Sequence, residues 1–492
     1  MTETAKKKRG MPSSFTILLA LLAIVAVVTV IVSGTSGGAV TAARLSDFCT
    51  APIKGFADAL PVCLFVMILG GFLGMMTETG ALDNGIAVLV QKLKGNEIML
   101  IPVLMLIFSL GGTTYGMCEE TVPFYALLAA TMMAAGFDPM VGAATVLLGA
   151  GCGCLGSTVN PFAVGAAVDA LTGVDIAVNQ SIIIGLGAVL WIVTTVMSIL
   201  FVMNYAKKVK ADKGSTILSM QELKDAEEAH GKAASEVHKE VKLTGRQKGV
   251  LIAFAFTFVV MIVGFIPLAD LNEGVANFFD AGAVYDADGN AIVQGWSALI
   301  TGLPIGQWYF DEASTWFFLM AILIGIIGGL SEKQIVNTFI TGAADMMSVV
   351  LVIALARGIS VLMANTGLDV FVLDAAANAL AGLSGVIFAP MSFLVYFGLS
   401  FLIPSTSGMA TVSMPIMGPL AVKLGFSPEV MVMIFSAAIG VVNLFTPTSG
   451  AIMGGLALAK IEWTTWLKFA LKLIVALSVV CAVILTVACV LI

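Results

Sequence analysis

With 492 residues, 59% hydrophobic and only 11% charged, and a mean hydropathy of +1.03, the chain is too apolar for a water-soluble fold and long enough for repeated crossings of roughly 30 Å of hydrocarbon. Its net charge of -7 resides largely in loops, and no nucleic-acid partner is expected. The seven cysteines (Cys49, Cys63, Cys118, Cys152, Cys154, Cys481, Cys489) lack paired spacing, which excludes a disulfide framework and gives no metal-ligand pattern.

The run KKKR at residues 6–9 precedes an apolar stretch, Phe15 to Val32, without a convincing small-residue cleavage site, so residues 1–14 are expected in the cytoplasm and the stretch is the first membrane helix. A first scaffold part, 15–96, adds a span at about 57–77. The first transport part, 97–205, is predicted as a re-entrant hairpin (97–135), a broken helix (140–171) and a span (180–204). A cytoplasmic loop (206–247), a linking helix (248–268) and an acidic external loop (269–313) follow. The second scaffold part, 314–386, holds spans at 314–330 and about 340–364, and the second transport part, 387–492, repeats the hairpin (387–424), broken helix (428–460) and closing helix (464–491).

Orientation rests on the basic residues. The loop after Tyr205 carries Lys207, Lys208, Lys210, Lys213, Lys224, Lys232, Lys239, Lys242 and Arg246, and is predicted cytoplasmic; its stretch QELKDAEEAHGKAASEVHKE reads as a solvated linker or, second, as a short surface helix. His230 and His238 lie in it and make poor proton relays. Between Ala269 and Glu332 there is no Lys or Arg, so that loop faces outside. Lys92, Lys94, Lys460, Lys468 and Lys472 then fall inside, and only Arg44 and Lys54 disagree.

Self-comparison at an offset of 289 residues matches FSL (108–110) with FGL (397–399) and GFDP (136–139) with GFSP (425–428). The first copy starts from the cytoplasm and the second from outside, so the copies are inverted. Four polar interruptions fall at matched places: GGTTYG (111–116), GSTVNP (156–161), IPSTSG (403–408) and FTPTSG (445–450). A kink explains any one of them, but four in register favour unwound backbone, which hydrocarbon tolerates only where it is buried or lines a wet cavity.

Glu119 and Glu120 follow the first hairpin tip, with no Lys or Arg from Gly95 to Ala206. Either they meet a cationic substrate group or a proton, or one caps the second hairpin arm while the other faces water. Asp345 and Arg357 read as structural inter-helix charges, with Arg357 alternatively holding a substrate carboxylate. Within the second transport part, residues 389–459 offer only Lys423 and Glu429, so the site reads as acidic to neutral, which weighs against a dicarboxylate.

The segments GGTTYGMCEETVPFY, LLGAGCGCLGSTVNPF, FLIPSTSGMATVSMPIMGPLA and NLFTPTSGAIMGGLALAKIEW resemble, over nearly the full chain, the YfcC family, which is related to the arginine/ornithine antiporters called ArcD and grouped with the anaerobic C4-dicarboxylate carriers. The resemblance implies an all-α polytopic membrane protein of the wider ion-transporter superfamily, with a scaffold and an elevator-type transport domain. It assigns substrate contacts to Thr113, Thr114, Ser157, Thr158, Asn160, Ser405, Thr406, Ser407, Thr446, Thr448 and Ser449; Asn443 beside the fourth break, and Glu119 and Glu120 on the charge argument, complete the expected substrate site. Candidate Na+ ligands are Ser157, Asn160, Thr406 and Thr448; coupling to Na+ or H+ is the only cofactor expectation. The expected protein is a non-enzymatic secondary carrier of amino acids, basic ones first, in arginine/ornithine-type exchange. The alternative is a Na+- or H+-coupled carboxylate, dicarboxylate or peptide carrier. A homodimer in the bacterial cytoplasmic membrane, N-terminus inside, completes the expectation.

Overall fold

The computed structural model describes residues 14–492 except 83, 86–87, 89–95, 237–241, 267, 272, 287–290 and 404. The KKKR run, Lys92, Lys94, His238, Lys239 and Pro404 of the third break lie outside the described residues. Eight described helices are long and apolar enough to span a bilayer: Phe15–Ser33, Leu60–Glu78, Glu97–Tyr115, Gln180–Ala211, Gly245–Phe265, Phe310–Gly328, Met347–Thr366 and Trp463–Leu491. The chain is a nearly all-helical, multi-pass membrane protein, whose β structure among the described residues is one small antiparallel ribbon, Val284–Tyr285 with Ala291–Val293.

The two copies interlock rather than stack. Leu45–Asp58 and Leu60–Glu78 run antiparallel to Glu332–Asp345 and Met347–Thr366: Thr41 N–H donates to Thr366 O at 2.9 Å, and Cys63 Sγ lies 3.9 Å from Val350 O. Two glycine contacts fix the approach. A methyl on Gly55 would fall on the backbone of Ala354 and Gly358, and one on Gly342 on the backbone of Gly70, with Gly71 beside it. Gly55 and Gly342 are 287 residues apart, as are Gly71 and Gly358, so one backbone crossing occurs twice, each time pairing a helix of one copy with a helix of the other.

Hairpins and broken helices form the other half. The first hairpin is Leu100–Tyr115 and Val122–Ala134; Pro139–Leu155 then returns alongside, with Gly142 against the backbone of Leu128 and Ala129 and Gly153 against that of Ser109. In the second copy Gly385–Leu402 and Thr406–Lys423 make the hairpin, closed by Tyr396 Oη donating to Ser413 Oγ at 3.1 Å, and Pro428–Val442 follows. The two returning helices cross where Gly151 meets Leu444 and Gly440 meets Leu155. Gly151 and Gly440 are 289 residues apart, the offset at which the loop residues match.

The reading of the cytoplasmic segment as a solvated linker is corrected: Met220–Glu236 is a helix docked on the protein. Glu222, Ala226 and His230, four residues apart, form its buried stripe at 4%, 0% and 8% exposure. Glu222 accepts N–H groups from Ser219 (2.8 Å) and Glu462 (2.9 Å), and His230 Nε2 lies 3.1 Å from Leu458 O. Thr216 and Tyr205 donate to Asp138 at 2.7 and 2.6 Å, tying the incoming strand of chain to the first hairpin's exit. The stripe is hard to read in the sequence because two of its three residues, Glu222 and His230, are polar types.

Burial disfavours the imidazolium of His230, and Lys460 adds to the effect against the contact with Leu458, so His230 titrates below its ordinary range. The undocked helix therefore takes up protons more readily than the docked one. Docking should be at full strength above about pH 6.5 and weaken as pH falls below it. Hydrogen-exchange protection of the Met220–Glu236 amides should drop on acidification in the native protein but not in His230→Gln.

Candidate functional site

All four predicted breaks converge. The first tip and the first broken helix are knitted together: Thr113 Oγ1 donates to Gly156 O (2.7 Å), and Thr158 donates through N–H and Oγ1 to Thr113 O (2.9 and 3.0 Å). Asn160 caps the next segment, its Oδ1 accepting from Phe162 N and Ala163 N (2.9 and 3.3 Å) while its Nδ2 donates to Ser157 Oγ (3.0 Å). Gly116, at φ +80°, is a position where a side chain would strike Asn160. In the second copy, Trp463 and Trp466 reach in from the last helix and donate their indole N–H groups to Phe445 O (2.7 Å) and Leu444 O (2.9 Å). The carbonyls freed at the fourth break are thus satisfied by side chains 18 and 22 residues further along the chain.

Between these elements lies a cavity of about 310 Å³. Its walls are repeat mates at the 289-residue offset: Gly116, Met117 and Cys118 face the cavity as do Ser405, Thr406 and Ser407, and Leu147, Ala150, Gly151 and Cys154 as do Ser436, Ile439, Gly440 and Asn443. Asn160, Phe162 and Ala163 correspond likewise to Ser449, Ala451 and Ile452. The backbone of the site is duplicated; its chemistry is not. In the hairpins and broken helices the first-copy wall carries Glu119, Glu120, two thiols and Phe162, whereas its second-copy counterpart is neutral and rich in hydroxyl and amide groups.

Of the predicted residues, Glu119, Glu120, Asn160, Ser405, Thr406, Ser407, Asn443, Thr448 and Ser449 line the cavity. Thr113, Thr114, Ser157, Thr158 and Thr446 do not. Their hydroxyls are committed to the protein: Thr114 to Leu110 O (2.7 Å), Ser157 to Cys154 O (2.6 Å) and Thr446 to Thr448 (2.7 Å), beside the Thr113 and Thr158 bonds above. The candidate cation ligands are divided between networks, Ser157 with Asn160 and Thr448 with Thr446, and both lone-pair directions of Asn160 Oδ1 are in use. That arrangement does not fit a ready Na+ cage.

Sequence reasoning underrated the charges contributed by the scaffold. Arg357 is paired not with Asp345, which is exposed, but with Asp58, Nε to Oδ2 at 3.0 Å, and both Asp58 and Arg357 line the cavity. A site without a base is thereby corrected: Arg357 sits in it, within electrostatic range of Glu119. Glu120 is 1% exposed and accepts the Cys118 N–H at 3.0 Å. Asp58 ends one helix of the first copy, and nothing in its local sequence announces a partner 299 residues on. Ser436 was also missed, because a single serine in an apolar helix carries no signal.

Cys118 and Cys154 line the cavity, whereas Cys152 and Cys481 are buried away from it. In a Cys49→Ser background, a small methanethiosulfonate should modify Cys118 or Cys154 ahead of Cys152 and Cys481, as mapped by mass spectrometry; the reverse order would remove the cavity from this place.

The family model described as DcuC, C4-dicarboxylate anaerobic carrier, matches residues 39–490. An uncharacterized protein of Haemophilus influenzae is 28% identical over 445 residues, covering 90% of this chain and 78% of that one. A protein of Escherichia coli named "Putative basic amino acid antiporter YfcC" is 27% identical over 440 residues, covering 87% and 77%. Among solved structures, Neisseria gonorrhoeae MtrF, described as illuminating a class of antimetabolite efflux pumps, aligns at a TM-score of 0.45 and 17% identity over 98% of this chain and 96% of its own. The Alcanivorax borkumensis YdaH transporter aligns at 0.45 and 16%, over 97% and 98%.

Proposed function

We propose, from the premise that this chain belongs to the C4-dicarboxylate anaerobic carrier family, that it is a secondary carrier of basic amino acids working by exchange of the arginine-for-ornithine type. The observation that carries this reading is the charge balance of the cavity. Asp58 neutralises Arg357 at 3.0 Å, which leaves Glu119 and Glu120 as the surplus acidic groups of the cavity. A carboxylate pair in such a place calls for a cation, and a substrate bearing one supplies it. The opposite wall suits the substrate's carboxylate: it has no acidic group, and the N-terminus of Thr406–Lys423 opens onto it with Ser405 as cap. The printed name of the Escherichia coli relative points the same way.

In this reading the hairpins and broken helices move as a transport domain against the interlocked scaffold, in a homodimer in the bacterial cytoplasmic membrane with the N-terminus inside. Arg357 also favours a second reading, Na+- or H+-coupled carboxylate or dicarboxylate uptake, in which its guanidinium takes the substrate carboxylate.

Proteoliposomes loaded with ornithine should take up labelled arginine in exchange, and Glu119→Gln together with Glu120→Gln should lower that exchange at least about a hundredfold, the loss of a buried charge pair. Robust succinate uptake with no arginine exchange would replace the first reading by the second. In the second case Arg357→Gln abolishes uptake and the paired Glu→Gln change spares it.

A further inference from the structure

We propose that Ser436 is a specificity-determining residue whose hydroxyl donates a hydrogen bond to the carboxylate of the transported substrate; the assignment rests on the amino-acid reading of the cavity.

Ser436 lies in the middle of Pro428–Val442, a helix buried on every side, and is 2% exposed. Hydroxyls inside this protein's helices characteristically turn back to a carbonyl three or four residues earlier, as Thr145 does to Val141 O (2.8 Å), Thr194 to Leu190 O (2.8 Å) and Ser400 to Tyr396 O (2.6 Å). Among the described residues, Ser436 Oγ makes no such bond and has no other partner. A buried hydroxyl left unpaired costs about 1–3 kcal/mol, so its persistence calls for a partner that arrives later. A few other buried polar atoms are unpaired too, Thr195, Ser314 and Ser392 among them, but Ser436 is the one that lines the cavity.

The surroundings choose the ligand group. Asn443, seven residues on and therefore on the same helix face, lines the same wall, as does the opening of Thr406–Lys423. Ser436, Asn443 and residues Ser405, Thr406 and Ser407 carry no formal charge, and the helix N-terminus among them favours an anion. The carboxylates Glu119 and Glu120 on the other wall exclude a substrate carboxylate there. The repeat mate of Ser436 is Leu147, also cavity-lining, so the hydroxyl occurs on one side only and supplies direction as well as affinity.

The test pairs a side-chain change with a ligand change, on the full-length protein in detergent. Ser436→Ala should bind arginine about tenfold or more weaker than the native protein, because a hydrogen bond to a charged group is lost. Agmatine, which keeps the guanidinium and lacks the carboxylate, should bind both proteins within about twofold. Ser436→Thr, which keeps the hydroxyl, should restore arginine binding, and the melting temperature of ligand-free Ser436→Ala should match the native one. Equal losses for arginine and agmatine, or no loss for either, would overturn the assignment. If the native protein binds succinate in place of arginine, the amino-acid reading falls, and Ser436 is judged on succinate: weaker binding by Ser436→Ala upholds its role toward a carboxylate, and unchanged binding ends it.

Discussion

A broken helix at membrane depth exposes amides and carbonyls that lipid cannot satisfy, and every other feature of this protein follows from how those groups are paired. In the first copy the tip and the break satisfy each other, through Thr113, Gly156 and Thr158, and Asn160 closes the turn. In the second copy the partners come from the last helix, as Trp463 and Trp466 hold Phe445 and Leu444. These bonds are internal, so they leave the ends of the half-helices free to face a common space. The glycine crossing at Gly151 and Gly440 then brings the two breaks close enough to enclose it.

The same economy governs the other half of the molecule. Gly55 against Gly358 and Gly342 against Gly71 let long helices of the two copies run in backbone contact, where larger residues would hold them apart. Such contact is rigid because it has no side chains to adjust. It also fixes where Asp58 and Arg357 meet: one lies just beyond the first glycine crossing on its own helix, the other next to Gly358. The repeat mates of this pair at an offset of 287 are Asp345 and Gly70, so the duplication supplies a second acid but no second base. The charge pair is a departure from symmetry placed at the cavity.

The repeat and its breaks were legible because loop residues carry information that apolar helices do not. GFDP and GFSP fixed an offset, and that offset predicts which cavity residues face one another. Which hydroxyls face the cavity was not legible. Thr113 and Ser405 stand in similar motifs, yet Thr113 is spent on Gly156 while Ser405 lines the cavity and caps a helix through the Gly408 N–H at 3.1 Å. Local sequence fixes that a residue is polar and near a break; only the neighbouring element decides whether its hydrogen bond is already made. Asp58 and Ser436 were missed for a related reason, since their roles depend on residues hundreds of positions away or on a bond that is not made. The Met220–Glu236 helix was masked differently, because two of its three buried residues, Glu222 and His230, are titratable types that read as solvated.

A duplicated fold starts with two equivalent walls, and a ligand with two unlike ends cannot use equivalent walls well. In this protein the backbone has kept the equivalence and the side chains have abandoned it: Gly116–Met117–Cys118 against Ser405–Thr406–Ser407, Glu119–Glu120 against Gly408–Met409, Leu147 against Ser436. The first-copy side of the cavity offers negative charge and the second-copy side offers hydrogen-bond donors beside a helix N-terminus. A zwitterion with an added cation fits such a cavity one way round, because the reverse places carboxylate against carboxylate and ammonium against the positive end of a helix. For a dicarboxylate the same walls act differently: charged Glu119 and Glu120 repel either end, and its hold falls to Arg357 and the helix N-terminus of the second copy. Inversion therefore supplies two walls of one backbone design around a common cavity, and the loss of chemical symmetry within it makes those walls unlike.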